Sequence, residues 1–219
     1  MGNYFGDFSQ GTFQLEIAPP PQANFNFSPG EPSKYDAIQF NSFSSDPAGV
    51  GFQTVAWNFG DGGTANGDFP THQYAADGDY QTTLNLTTYD GRTASTIQTI
   101  HVRTHDVAIT KISTPKSATV GQTREIDLSI RNYLYPETVT VELYRSVAGG
   151  GFELIASSTQ FVPVRSGSRT TQFAFNYTFS PQDAQAGRVV FRALATIVNA
   201  RDALPSDNEA ISAPMKVIR

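Results

Sequence analysis

Alternation of apolar and polar residues with a period of two recurs along this chain, and it limits what the chain can fold into more than any other feature. Phe13, Leu15 and Ile17 alternate with Gln14 and Glu16, and Ile126, Leu128 and Ile130 alternate with Asp127, Ser129 and Arg131. Val139, Val141 and Leu143 continue the pattern, followed by Phe173, Phe175, Tyr177 and Phe179. Then come Val189, Phe191, Ala193, Ala195 and Ile197, and finally Ile211, Ala213, Met215 and Val217. A strand sends successive side chains to opposite faces, so each run predicts a strand with one buried and one wet face. Clusters of Gly, Pro, Asn, Asp and Ser between the runs predict turns. Many short strands at spacings of about 8–12 residues predict an all-β sandwich architecture. One stretch, Pro181 to Gly187, tolerates a helix, at most a single turn closed by Gly187.

The chain has 219 residues, enough for one large or two small domains with a buried core. Pro19-Pro20-Pro21 cannot donate to a ladder and separates an N-terminal strand, Gly11 to Ala18, from the rest of the chain. A second boundary falls near Arg103-Thr104-His105-Asp106. The expected organisation is a strand and Pro linker (1–22), a first sandwich (23–104) and a second (105–219). Charge supports the division: residues 1–104 carry three basic groups against ten carboxylates, net −7, and the remainder is net +2.

Composition removes several function classes. The net charge of −5 offers no basic excess to neutralise phosphates, so no nucleic-acid partner is expected. The absence of Cys removes disulfides, thiolate nucleophiles and Cys-based zinc sites. No apolar run approaches the roughly 20 residues of a membrane span. Met1 to Asp7 shows no basic start and no apolar core of a secretory signal. That leaves three readings of Met1: an expression start, a start after processing, or a protein not secreted by that route.

The densest motif is Trp57-Asn58-Phe59-Gly60-Asp61-Gly62, followed by Pro70-Thr71-His72-Gln73-Tyr74, Gly78-Asp79-Tyr80 and the turn Asp90-Gly91. In order and spacing these match W-x-F-G-D-G, P-x-H-x-Y, G-x-Y and D-G, so Asn24 to about Val102 resembles the PKD (polycystic kidney disease) domain. The resemblance implies an immunoglobulin-like β-sandwich of extracellular and surface proteins, acting as a spacer or interaction module without catalytic activity. It also implies a core Trp57 and a tyrosine corner at Tyr80. Some members of that family bind calcium through loop carboxylates; Asp46, Asp61 and Asp90 are the positions where such ligands could converge. Turn chemistry is the reading the residues favour there, with a structural calcium as the alternative.

From Asp106 onward, the order Asp106-Val-Ala-Ile, Val120-Gly-Gln-Thr, an Ile130–Asn132 strand end, Val141-Glu-Leu-Tyr144 and Ser206-Asp-Asn208 is similar to the CARDB group of bacterial cell-adhesion-related domains. The fold class expected is therefore all-β, two tandem immunoglobulin-like sandwiches with an extra N-terminal strand. The Tyr133–Glu137 loop departs from that pattern.

A catalytic inventory comes up short. A triad needs a His beside a nucleophile and an orienting acid; His72 lies in the PKD motif, and His101 and His105 flank the junction with no third metal ligand evident. Nearly all carboxylates fall in turns or on outward strand positions, which leaves no facing pair for glycoside hydrolysis. Gly60 to Gly63 is not followed by a helix and so is no phosphate cradle. No catalytic, cofactor-binding or metal residue is assigned, and the protein is expected not to be an enzyme. The expected function is a non-catalytic extracellular or cell-surface structural protein for adhesion, spacing or self-assembly into a filament or layer. Its partner is protein, through self-association by edge strands or by the N-terminal strand. A phage or virion decoration or fibre protein, and accessory domains of a secreted hydrolase, are the alternatives.

Overall fold

The computed structural model describes residues 17–219. These gather into two compact units: residues 17–27, 39–72 and 80–100 form one, and residues 28–38, 73–79 and 101–219 form the other. The predicted strand Gly11 to Ala18 falls almost wholly outside the described residues; Ile17 and Ala18 are in no strand.

The first part of the chain supplies β1 (Phe25–Ser28), β2 (Ile38–Ser42), β3 (Phe52–Asn58), β4 (Thr64–Asn66), β5 (Thr71–His72), β6 (Gly78–Thr88) and β7 (Thr93–Val102). One sheet has the order β1-β2-β5 and the other β4-β3-β6-β7. β3 and β6 are antiparallel with Trp57 opposite Leu84, so the inward phase of one meets that of the other. Phe25, Phe40, Trp57 and Phe59 are all buried and meet across the sheets. The Phe25 and Trp57 rings are edge-on at 5.1 Å, and Phe40 lies 5.0 Å from Phe59. Such pairs each add about 0.5–1.5 kcal/mol beyond the area they bury. The indole Nε1–H of Trp57 donates to Gly67 O at 2.8 Å, which satisfies the one polar atom of the largest core side chain.

The remainder comprises β8 (Val107–Ser113), β9 (Ser117–Thr119), β10 (Thr123–Asn132), β11 (Glu137–Ser146), β12 (Phe152–Val162), β13 (Thr171–Thr178), α1 (Pro181–Ala186), β14 (Arg188–Val189), β15 (Phe191–Ile197), β16 (Glu209–Ile211) and β17 (Met215–Ile218). Its sheets run β13-β10-β8, β12-β11-β15-β16 and β14-β17-β9. Ile126, Leu128, Ile130, Val139, Val141, Leu143, Phe173 and Phe191 are fully buried in one core, as the alternation predicts. The helix-tolerant stretch is α1, capped by Ser180 and closed by Gly187 in the left-handed region. β12 is the outer strand of its sheet and exposes Leu154 (53%) and Phe161 (63%).

Two predicted strands are each split. Val189 to Ile197 reads as one alternating run, yet β14 pairs with β17 while β15 pairs with β11. The terminal run is also broken: Ile211 and Ala213 face solvent, and Ser212 is the buried residue. Ser212 N–H donates to Phe191 O, and Phe191 N–H donates to Ser212 Oγ. Pro214 has no N–H to continue that ladder, and the chain resumes as β17 in another sheet.

Candidate functional site

The three candidate calcium ligands of the first unit do not converge on a common point. Arg92 occupies the place between two of them. Its Nη1 and Nη2 donate to the two oxygens of Asp46 at 2.8 and 3.0 Å, its Nε donates to Asp90 at 2.8 Å, and Nη1 also reaches Pro19 O. The fork geometry of guanidinium suits such bidentate pairing. Asp46 accepts further from the N–H groups of Ala48, Val50 and Gly51. Arg92 first, then these amides, outweigh burial and hold Asp46 at about 2. Arg92 and Thr88 likewise hold Asp90 below its ordinary range. Asp46 and Asp90 thus share an internal cation, Arg92, and Asp46 also ties down the amides of its own turn.

Asp61 goes elsewhere. His72 Nε2 lies 2.8 Å from its Oδ2; a carboxylate can only accept, so Nε2 carries the hydrogen. Burial raises Asp61, but the Gly63 N–H and His72 outweigh it and its range falls below the ordinary one. The imidazole stacks on Phe59 with centroids 4.1 Å apart and planes within 4°. A Cβ on Gly63 would stand 2.6 Å from His72 Cε1, and one on Gly60 (φ +84°) would stand 2.7 Å from Gln81 O. The W-x-F-G-D-G and P-x-H segments are thus one lock, in which His72 and Asp61 fix a loop against the core edge. Tyr80 is half-buried near the start of β6.

His101 and His105 do not meet on one ligand. His101 Nδ1 lies 2.7 Å from Asp79, and His105 Nδ1 lies 2.5 Å from Glu137. Buried acids are more numerous than the sequence led one to expect: Asp183, Glu137 and Asp106 are 2%, 7% and 8% exposed. Asp183 caps α1 and pairs with Arg145 at 2.5 Å. Tyr177 O–H donates to it at 2.9 Å, and burial with that bond pushes the phenol up to about 12.

One constellation escaped the sequence reading. Asp106 immediately precedes β8, while Asp202 and Asp207 come from the loop between β15 and β16. Each places a carboxylate oxygen within 4.8 Å of the others. Asp202 accepts from Val107 N–H at 3.1 Å and Leu204 N–H at 2.8 Å. Asp106 Oδ1 and Asp207 Oδ1 are buried with no donor, and so is Oδ1 of the adjoining Asn208. Burial, then the charges of Asp207 and Asp202, push Asp106 up to about 6; burial and Asp202 raise Asp207 as well. The signal was present in Asp106-Val-Ala-Ile and in Ser206-Asp-Asn208, but nothing local to either motif says that they meet.

Among known proteins, residues 18–103 match the PKD-domain family. A microbial collagenase of Vibrio alginolyticus is 41% identical over 66 residues, 30% of this chain and 8% of that protein's length. The PKD1 domain of the Vibrio cholerae metalloprotease PrtV is 30% identical and covers 39% of this chain and all of its own (TM-score 0.35). A CARDB domain from Pyrococcus furiosus, solved in complex with di-metal ions, is 17% identical over 53% of this chain and 90% of its own (TM-score 0.41). Three N-terminal domains of the bacteriophage RB49 outer capsid protein Hoc are 12% identical over 90% of this chain and 70% of theirs (TM-score 0.52). No helix among the described residues is long and apolar enough to cross a membrane. The chain is an all-β protein of immunoglobulin-like architecture in which residues 18–103 belong to the PKD-domain family, with further β-sheet structure following.

Proposed function

We propose that the chain is a non-catalytic spacer and adhesion module of a secreted or surface protein, making its contacts through a sheet edge. The observation that carries this reading is the fate of the chemistry-bearing motif residues. Arg92, Asp46, Asp90, His72 and Asp61 are engaged in holding PKD loops. The exposed outer strand β12, with Leu154 and Phe161 outward, is a template for strand pairing with another protein or a second copy. It has no Pro and no Lys to deter pairing. Sedimentation velocity and electron microscopy of the purified protein test this. The expected result is concentration-dependent assembly that Leu154→Lys with Phe161→Lys abolishes. A dispersed monomer at high concentration would remove self-assembly. Deleting residues 1–18 then asks whether the N-terminal segment contributes; assembly that survives deletion excludes it.

The collagenase match favours a second reading, in which these domains are accessory to a secreted hydrolase whose catalytic part lies elsewhere. Co-sedimentation with insoluble collagen separates the two, since a spacer is left in the supernatant. A role on a virion has the fold likeness to Hoc as its support.

A further inference from the structure

Asp106 and Asp202 stand at opposite ends of the second sandwich's sequence, yet folding brings their carboxylates and that of Asp207 within 4.8 Å. Like charges at that distance repel, and burial makes the repulsion stronger. Asp106 is 8% exposed, it contributes a carboxylate oxygen to the cluster, and its Oδ1 is buried without a donor. Among the described residues no Lys, Arg or His forms an ion pair with any of the three, and none of the carboxylates hydrogen-bonds another. Lys34 of the same unit opposes the negative charge weakly, and its ammonium lies over the Tyr35 ring. Among the described residues the cluster is left without a close counter-charge.

We propose that Asp106, Asp202 and Asp207 form a divalent-cation site and that the cation is calcium. All three donors are oxygen, the hard ligand set of calcium rather than of zinc or copper. Calcium takes about six to eight oxygens in a flexible geometry, whereas magnesium demands a near-ideal octahedron and gives up its waters reluctantly. Carboxylates delivered by two separate segments and gathered within 4.8 Å of one another suit the ion that accepts the more permissive geometry. Asp106 and Asp207 line a surface hollow with Tyr133 and Leu204, through which water completes the coordination. Bound calcium would tie the β15–β16 loop to the start of β8, where Asp202 already accepts from Val107 N–H. This site is independent of the spacer reading.

The test is titration calorimetry and thermal melting of the whole chelator-treated protein with calcium chloride, with magnesium chloride as the comparison. The expected result is saturable binding of a single calcium, a rise in Tm that chelator reverses, and magnesium about tenfold weaker. Asp207→Asn should lower calcium affinity at least about tenfold, while its metal-free form melts at or above the metal-free wild type because one repelling charge is gone. Glu125→Gln, on an exposed position of β10, should leave binding unchanged. The absence of both binding heat and a melting shift at millimolar calcium overturns the proposal. So does calcium binding that Asp207→Asn and Asp202→Asn leave intact, since the ion would then sit elsewhere.

Discussion

Arg92 gives the PKD loops a titration behaviour that can be read directly. Asp46 is held at about 2 against an ordinary 3.8. A depressed carboxyl stabilises the fold fully above its unfolded value and ceases to do so as pH falls through the folded one. The first unit should therefore weaken on acidification from about pH 4 toward about pH 2. Asp46→Asn should melt lower at neutral pH and show a flatter acid profile, followed by the fluorescence of Trp57. Arg92→Lys should resemble it, because an ammonium cannot reproduce the fork. Gly60 is a second sensitive point. A side chain there meets both a left-handed backbone, costing about 1–2 kcal/mol, and the Gln81 carbonyl at 2.7 Å. Gly60→Ala should destabilise by more than the backbone term alone, measured by urea denaturation. The charge of Asp46, Asp61 and Asp90 was legible in the sequence; their partners were not. Arg92 sits two residues beyond Asp90, close enough to suggest a pair, but Asp46 reaches it only through the fold, and the convergence of Asp106 with Asp202 and Asp207 has no local trace.

The short helix α1 is an element whose stability rests on its first turn. Ser180 Oγ accepts from Asp183 N–H at 3.3 Å, and Asp183 accepts from Ser180 N–H at 2.7 Å. Ser180→Ala should cost about 1 kcal/mol, as helix N-caps do. Asp183→Ala should cost more, because it also strands Arg145 and the Tyr177 hydroxyl, which donate to the same carboxylate. Chemical denaturation followed by far-UV circular dichroism ranks the two. Strand identity was largely readable because one face of each strand is apolar: Ile126 to Ile130 and Val139 to Leu143 bury the residues their alternation nominates. Sheet membership was not. The run through Val189 and Phe191 keeps its phase while changing partner from β17 to β11, and a period of two carries no information about the neighbour. Ser212 turns inward because its hydroxyl closes the ladder to Phe191, which outweighs the hydrophobicity of Ile211 beside it. On β12 a register shift opposite Leu143 and Tyr144 reverses the exposed phase, so that Leu154 and Phe161 are both exposed although their positions differ by an odd step, a reversal that only the paired strand reveals.

At the scale of the whole molecule, two cores are built differently. The first is aromatic, with Phe25, Phe40, Trp57 and Phe59 in mutual contact; the second is mainly aliphatic, around Ile126, Leu128, Val141 and Leu143. Each unit encloses its own apolar residues, the condition under which domains unfold as separate cooperative transitions. Trp57 is the sole tryptophan of the chain and lies in the first core, so its fluorescence reports one unit while far-UV circular dichroism reports both. In urea the two probes should therefore give non-coincident curves. Asp46→Asn should move the fluorescence midpoint, and Ser180→Ala should move only the dichroism component that fluorescence does not see. Calcium, if held by Asp106, Asp202 and Asp207, should act on that second component alone. Coincident curves that every variant shifts together would mean that the chain unfolds as one body, and the assignment of stability to separate cores would fail.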